Sequence, residues 1–235
     1  MSGDIRFAEF PIVGLSTKVR TNWNVGIGEI SFSGEVQNYC ICFIDIIGST
    51  KISSDLTPAQ LSRYYELFLN AIALIAKNFG GKVVKNAGDA LILYFDDTRD
   101  PKNVMKFKNV LDCGLMMGMA SNTLNAKLLG EKLPPIKYRI SADYGEVSVA
   151  RSLSSQSEDL FGSAMNICAK INSKGRPNGL VIGETLFDIV KGLDEYTFVP
   201  SNEALIGMKG EYGVYHVDQK EKKGIINPFD RRAID

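Results

Sequence analysis

The chain has 235 residues, 45% of them hydrophobic, which is enough to bury one substantial core. Its 27 Lys and Arg residues balance 27 Asp and Glu residues, which excludes a global attraction to nucleic acid or to an anionic membrane. No apolar run approaches the roughly 20 residues that span a bilayer, and the first residues lack the order of a secretory signal. We therefore expect a cytoplasmic protein without a membrane span, in which any phosphate binding is local.

The cysteines and the histidine offer little for metal or redox chemistry. Cys40, Cys42, Cys113 and Cys168 form no C-x-x-C pair, and the only histidine is His216. This pattern argues against a zinc site. It predicts four reduced, buried cysteines, since free cysteine packs like a small hydrophobe.

The first strong strand pattern carries a single charge. Residues 1–37 hold Gly, Ser and Asn with scattered hydrophobes, and they are predicted to be an N-terminal extension to which no role can be given. The run YCICFIDII, residues 39–47, is apolar and rich in β-branched or aromatic residues, which predicts a buried central strand. Burying the carboxylate of Asp45 there is costly unless a cation or hydrogen bonds compensate.

A long amphipathic helix and a hairpin follow this strand. Thr57-Pro58-Ala59-Gln60 combines an N-cap, a proline at the first helical position and a capping-box glutamine, before apolar residues at helical spacing. Gly80-Gly81 ends this helix. Residues 82–95, KVVKNAGDALILYF, then predict two strands around a tight turn with Asp89 at its tip. A carboxylate at such a tip projects beyond the sheet.

The rest of the chain alternates between helices and strands. A second helix is predicted from about 101 to 128, with Met105, Met116 and Met119 on its apolar face together with Val110 and Leu111. The later pattern predicts strands over 136–144, 145–152, 180–182 and 213–217 and helices over 163–173 and 184–190. This order predicts an α+β domain over residues 38–220, with an antiparallel or mixed sheet and helices packed on one face, and a tail over 221–235.

Asp45 and Asp89 suit a pair of ligands for a hard cation. Mg²⁺ prefers oxygen and usually takes one or two carboxylates together with phosphate oxygens. Directly after Asp45, Ile47-Gly48-Ser49-Thr50 leads into a helix, and a glycine-bearing turn can direct backbone N–H groups at phosphates. We therefore expect a divalent metal held against a triphosphate.

On these residues the sequence resembles the class III adenylate and guanylate cyclases, over residues 39–217. The segment 43–50 is similar to the family's first metal motif, and Lys85-Asn86-Ala87-Gly88-Asp89 is similar to its second. Further matches lie at Tyr144-Gly145-Glu146-Val147, at residues 159–166 and at Met208-Lys209-Gly210. The resemblance implies a ferredoxin-like, palm-like domain that forms a head-to-tail homodimer, in which each active site is shared by two chains.

The resemblance also implies what the matched residues do on one side of the site. Asp45, Ile46 and Asp89 would hold two Mg²⁺ or Mn²⁺ ions, so that the ribose 3′-hydroxyl attacks the α-phosphorus and pyrophosphate leaves. Ile47-Gly48-Ser49-Thr50 would bind the substrate's phosphates. The expected reaction converts a nucleoside triphosphate, ATP in the first instance, into the 3′,5′-cyclic nucleotide.

The partner chain would supply the other side of the site. Lys85 and Asp159 match the positions that read adenine, which favours ATP, and Asn166 matches the residue that orients the ribose. Lys209 matches a basic residue that contacts the outer phosphates. Four residues after Asn166 the family expects an arginine at the α-phosphoryl group, but this chain has Lys170, which keeps the charge and loses the planar bidentate fork. Arg151 or Arg176 could substitute for it.

Several alternatives stay open. The replacement at Lys170 is compatible with a weakly active or non-catalytic domain that binds nucleotide and regulates a partner. A cyclase that uses GTP or a pyrimidine nucleotide would keep the chemistry, although Lys85 and Asp159 argue against it. Asp45 could instead cap the following helix, and Asp89 could be an ordinary turn residue. A diguanylate cyclase is disfavoured, because its Gly-Gly-Asp/Glu-Glu-Phe turn is here Ala87-Gly88-Asp89-Ala90-Leu91.

Overall fold

The structure is a computed structural model that describes residues 30–152, 158–202, 205–208 and 210–220. Its elements in chain order are β1 (Ile30–Ile46), α1 (Ser49–Asp55), α2 (Pro58–Asn78), β2 (Lys82–Ala87), β3 (Ala90–Phe95), a 3₁₀ helix (Asp96–Thr98), α3 (Val104–Gly130), β4 (Tyr138–Ser152), β5 (Glu158–Phe161), α4 (Ser163–Asn172), β6 (Leu180–Gly183), α5 (Glu184–Val190), β7 (Tyr196–Pro200), β8 (Leu205–Met208), β9 (Gly210–Tyr212) and β10 (Val214–Gln219).

Eight of the described strands form one mixed sheet. Its order is β2-β3-β1-β4-β6-β10-β7, and β5 pairs with β4 beside this path. Neighbouring strands are antiparallel except β4 and β6, which run parallel. The strands β8 and β9 form a separate two-stranded hairpin. The predicted α+β class with a mixed sheet is therefore confirmed.

The central strand β1 is apolar on both faces, which is why its sequence is a continuous apolar run. Cys40, Cys42 and Ile44 belong to the core that α2, α3 and α5 cover. Tyr39 and Ile41 belong to a second cluster, on the opposite face, that α4 covers. The prediction that the helices pack on one face is therefore wrong for α4, because β1 needs an apolar cover on each side.

The capping box that opens α2 is confirmed. The Thr57 hydroxyl accepts a hydrogen bond from the Gln60 backbone N–H at 3.4 Å, and the Gln60 side chain accepts one from the Thr57 backbone N–H at 3.1 Å. Pro58 occupies the first helical position. The four cysteines are buried and free, as predicted.

Helix α3 presents a different face from the one that the methionines predicted. Val110 and Leu111 are buried, but Met105, Met116 and Met119 are 63%, 43% and 55% exposed. The buried stripe continues instead through Phe107, Met117, Leu124 and Leu128. Apolar residues lie on more than one side of this helix, so periodicity alone did not identify the side that packs on the sheet.

The segments on either side of Gly145 form one continuous strand, β4, and not two. A Cβ at Gly145 would lie 3.2 Å from the Cβ of Ala164, so this glycine permits the close approach of α4 and does not mark a turn.

Strand β1 begins at Ile30. It therefore includes residues 30–37, which were predicted to belong to the N-terminal extension. The division at 1–37, 38–220 and 221–235 stays a prediction, since residues 1–29 and 221–235 lie outside the described ranges. No helix in the described part of the chain combines the length and apolar composition that a bilayer crossing requires.

Candidate active site

Asp45 and Asp89 lie side by side where β1 and β3 meet the hairpin turn. Asp45 pairs across the sheet with Ala90, the residue that follows Asp89. Asp45 is partly buried, and burial together with the neighbouring Asp89 carboxylate raises the pKa of its carboxyl group, although Arg139 acts in the opposite direction. Two carboxylates in contact at the edge of a core form a site that a cation would stabilise.

This pair fits a divalent cation of the magnesium type. It offers oxygen ligands, and Mg²⁺ commonly takes two carboxylates and completes its coordination with phosphate and water. Within the described ranges, no group of three or more His, Cys, Asp or Glu side chains could hold a metal ion, so a site made by protein side chains alone is not available there. The Ile46 side chain is buried in the core, so this residue could bind a metal through its main-chain carbonyl group only.

A tight turn leads from this pair into α1. Gly48 has φ 76° and ψ 24°, in the left-handed region that favours glycine, and it is the N-cap of α1. No side chain caps this described helix, so the first-turn N–H groups of Ser49 and Thr50 lack an intrahelical or side-chain acceptor. These groups can receive phosphate oxygens close to the Asp45–Asp89 pair.

Lys85 and Asp159, 74 residues apart in sequence, form an ion pair between Nζ and Oδ2. Lys85 lies on β2 and Asp159 on β5, and the Lys85 ammonium lies 5.9 Å from the Phe161 ring centroid. The other Asp159 oxygen accepts a hydrogen bond from the Leu160 N–H at 2.8 Å, which orients the carboxylate. The structure thus brings a hydrogen-bond donor and a hydrogen-bond acceptor together at the surface. Recognition of the edge of a nucleobase requires such a combination.

Asn166 and Lys170 lie one turn apart on the exposed side of α4. The opposite side of this helix is buried through Met165, Cys168 and Ile171. Within the described ranges, no hydrogen bond or ion pair links either side chain to another residue, and none joins them to the Asp45–Asp89 pair. Both side chains are therefore presented to solvent or to a second chain.

Three other basic residues were considered for contacts with the phosphates. Lys209 lies outside the described residues, between Met208 and Gly210 of the β8–β9 hairpin. The Arg151 side chain is also outside them. Arg176 lies beyond the end of α4 and pairs with Asp218 of β10 at 3.6 Å, so it does not occupy the position of Lys170.

Two buried or partly buried charged residues of β4 were not identified from the sequence. Arg139 is the cross-strand neighbour of Asp45 on β4, and its charge opposes the repulsion between the two carboxylates. Asp143 is fully buried in the same strand. The available signal was that both of these charged residues lie within the alternating apolar pattern of residues 136–144.

Comparison with known proteins identifies the family to which this fold belongs. The family model of the adenylate and guanylate cyclase catalytic domain matches residues 32–219. A cytidylate cyclase of Staphylococcus aureus is 25% identical over 203 residues, which are 84% of this chain and 45% of that protein. The chain thus spans less than half the length of this relative.

Two solved cyclase structures share the fold. The adenylyl cyclase CyaB from P. aeruginosa matches with a TM-score of 0.71 at 19% identity, over 80% of this chain and 97% of that one. The guanylyl cyclase Cya2 matches with a TM-score of 0.67 at 20% identity, over 84% of this chain and 97% of that one. Given the family match over most of its length, the chain belongs to the class III adenylate and guanylate cyclase catalytic domain family.

Proposed function

We propose that this domain converts ATP into 3′,5′-cyclic AMP and pyrophosphate, in a homodimer whose two active sites each combine residues of both chains. The observation that carries the proposal is the adjacent pair Asp45 and Asp89, followed directly by the Gly48 turn at the start of α1. A pair of carboxylates that can hold a cation, beside the backbone N–H groups at the start of a described helix, is an arrangement that suits a triphosphate.

In this proposal each chain contributes two different surfaces. One surface has the Asp45–Asp89 pair and the Gly48 turn, which bind the phosphates. The other has Asn166 and Lys170 of α4 and the Lys85–Asp159 pair, which orient the ribose, contact the α-phosphoryl group and read the base. The exposure of Asn166 and Lys170, and the lack of any described contact between them and the acidic pair, support a site that a second chain completes.

The reaction needs no side-chain nucleophile, because the attacking group is the substrate's own 3′-hydroxyl. When bound, divalent cations would lower the pKa of that hydroxyl and neutralise charge on the triphosphate. The N–H groups of Ser49 and Thr50 would hold phosphate oxygens, and Lys170 would add positive charge at the α-phosphoryl group. Asn166 would orient the ribose so that the attack is in line with the leaving pyrophosphate.

The Lys85–Asp159 pair favours bases that carry an amine beside an unprotonated ring nitrogen. Asp159 can accept a hydrogen bond from the amine, and Lys85 can donate one to the ring nitrogen. Adenine has this edge, whereas guanine and uracil have the reverse order of donor and acceptor. Cytosine has the same edge as adenine.

CTP is therefore the second candidate substrate, and the 25% identical cytidylate cyclase supports it. The two bases differ in the distance from this edge to the ribose, so the depth of the pocket in the dimer selects between them.

Incubation of the purified chain with each of the four nucleoside triphosphates and Mn²⁺ tests the function directly. We expect pyrophosphate release and a cyclic product, identified by mass, with ATP or CTP and little with GTP or UTP. Metal-dependent nucleotide binding without any product would instead favour the regulatory alternative. Turnover of GTP or UTP at the highest rate would contradict the proposed base reading.

Inverting the Lys85–Asp159 pair should invert the base preference. The double variant Lys85→Glu, Asp159→Asn replaces the donor by an acceptor and the acceptor by a donor, which suits guanine. We expect the ratio of kcat/KM for ATP to that for GTP to fall by about 10²-fold, because mismatched polar groups are left unpaired in the site.

The matched control uses a second ion pair made by a lysine of β2. Lys82 pairs with Asp96 of the 3₁₀ helix, at an Nζ–Oδ2 distance of 2.5 Å. Lys82→Glu with Asp96→Asn should leave the base preference unchanged. An unchanged ratio in the Lys85 variant would show that this pair does not read the base.

Replacing Lys170 by arginine should increase turnover. A bidentate guanidinium contact that tightens in the transition state acts on kcat more than on KM. We expect Lys170→Arg to raise kcat by about 3- to 30-fold and Lys170→Ala to lower it well below wild type at similar KM. Lys174→Arg, the same change beyond the end of α4, is the control and should have no effect. A slower Lys170→Arg with an unchanged Lys170→Ala would show that Lys170 does not contact the phosphates.

A further inference from the structure

Phe161, the last residue of β5, is a surface aromatic residue to which the proposed reaction gives no part. Its side chain is 42% exposed, and within the described ranges it is the only aromatic residue among the exposed large hydrophobic residues. The others are aliphatic side chains and methionines. A single exposed apolar residue is common at a protein surface, so the neighbours of this ring decide its significance.

The neighbours of the Phe161 ring are the two groups proposed to read the base. Asp159 and Phe161 lie two residues apart in β5, so their side chains point to the same face of the strand. The Lys85 ammonium lies 5.9 Å from the centroid of the Phe161 ring, and it also pairs with the Asp159 carboxylate. The aromatic ring, the hydrogen-bond donor and the acceptor therefore form one surface.

The backbone on both sides of Phe161 is held in place. Phe161 pairs with Ser148 of β4, and the preceding Leu160 is buried in the apolar cluster that α4 covers. A Cβ at the following residue, Gly162, would lie 2.4 Å from the main-chain oxygen of Glu146, so glycine allows the backbone to approach β4 this closely. A ring on a fixed backbone loses little conformational entropy when a ligand packs against it.

We propose that the nucleobase stacks on the Phe161 ring while its edge forms hydrogen bonds with Lys85 and Asp159. The proposal rests on the proposed function, which assigns those two residues to the base. Hydrogen bonds to the edge distinguish one base from another, whereas stacking uses the π face that every base has. Phe161 therefore contributes affinity for a nucleotide of any base, and the Lys85–Asp159 pair determines which base is preferred.

The test compares ligands that share the triphosphate and differ in whether they carry a base. The 3′-deoxy forms of ATP and CTP carry a base and lack the attacking hydroxyl, so they bind without turnover, whereas inorganic triphosphate has no base. Each ligand is titrated with Mn²⁺ into the wild-type protein and into Phe161→Leu. We expect the variant to raise the dissociation constants of both nucleotides by about 10-fold and to leave that of triphosphate unchanged.

A second variant and a matched control separate stacking from folding. Phe161→Trp keeps an aromatic face and should retain most of the affinity for both nucleotides. Phe198→Leu is the control, because it makes the same change on β7, at the edge of the sheet opposite to β2, where the Phe198 ring centroid lies 5.4 Å from that of Phe187. We expect this control to lose stability while all three dissociation constants stay unchanged.

The outcomes for Phe161 and for the cyclase reaction are distinct. Unchanged nucleotide affinity in Phe161→Leu would overturn the proposal, and so would an equal loss of affinity for nucleotides and triphosphate. A wild-type protein that binds the 3′-deoxy nucleotides but never converts ATP or CTP would count against the proposed cyclase function. In that protein, a loss of affinity in Phe161→Leu that is confined to the nucleotides would still support stacking on Phe161.

Discussion

Replacing Asp45 by asparagine should lower Mn²⁺-dependent turnover by about 10³-fold or more, because stabilisation of transition-state charge by a bound cation is worth several kcal/mol. Asp89→Asn should have a similar effect. Asparagine has nearly the same shape, so the backbone of β1 and of the β2–β3 turn need not change.

The same variants should not lose stability in the absence of metal. Partial burial and, after it, the neighbouring Asp89 carboxylate raise the pKa of Asp45, so its charged form is unfavourable in the folded state. A neutral side chain removes this repulsion, and we expect the free energy of unfolding at pH 7, measured in chelator, to stay equal or to increase.

Thermal unfolding with Mn²⁺ and nucleotide separates binding from folding. Wild-type protein should unfold at a higher temperature when both ligands are present, whereas Asp45→Asn should lose most of this shift. Asp55→Asn, an exposed aspartate at the end of α1, is the control and should behave like wild type. Unaltered turnover in Asp45→Asn would remove the basis of the proposed metal site.

Two inactive variants should restore activity when they are mixed. Asp45→Asn damages the phosphate-binding surface, and Asn166→Ala damages the surface on α4. In a heterodimer with shared sites, one site contains both changes and the other contains neither. After random exchange of subunits, half of the dimers are heterodimers and half of their sites are intact. We therefore expect about a quarter of wild-type activity.

The control mixture combines Asp45→Asn with Asp89→Asn. Both changes affect the same surface, so each site of that heterodimer remains damaged and no activity should return. Subunit exchange is verified independently, for example by mass-labelled chains. Exchange without recovery in the first mixture would show that the site is not divided between Asp45 and Asn166 in the proposed way.

The elements with strong local patterns were predicted close to their observed bounds. The capping box of Thr57 and Gln60 correctly predicted the start of α2. The Gly88-Asp89 turn correctly predicted the boundary between β2 and β3. Both predictions depend on interactions within about four residues, where backbone sterics and side-chain capping act directly. The strand β7 was missed, because its short segment of residues 196–200 includes a proline and lies at the sheet edge.

The sequence by itself therefore determined the local elements, the α+β class, and the acidic residues that are candidates for metal binding, since each depends on patterns within a short stretch of chain. The tertiary structure decided which side of α3 is buried, that α4 covers the second face of β1, and that Lys85 meets Asp159. It also decided that Asp143 is buried against Tyr212. These features join residues far apart in sequence, and which of them meet depends on how the apolar faces pack against one another.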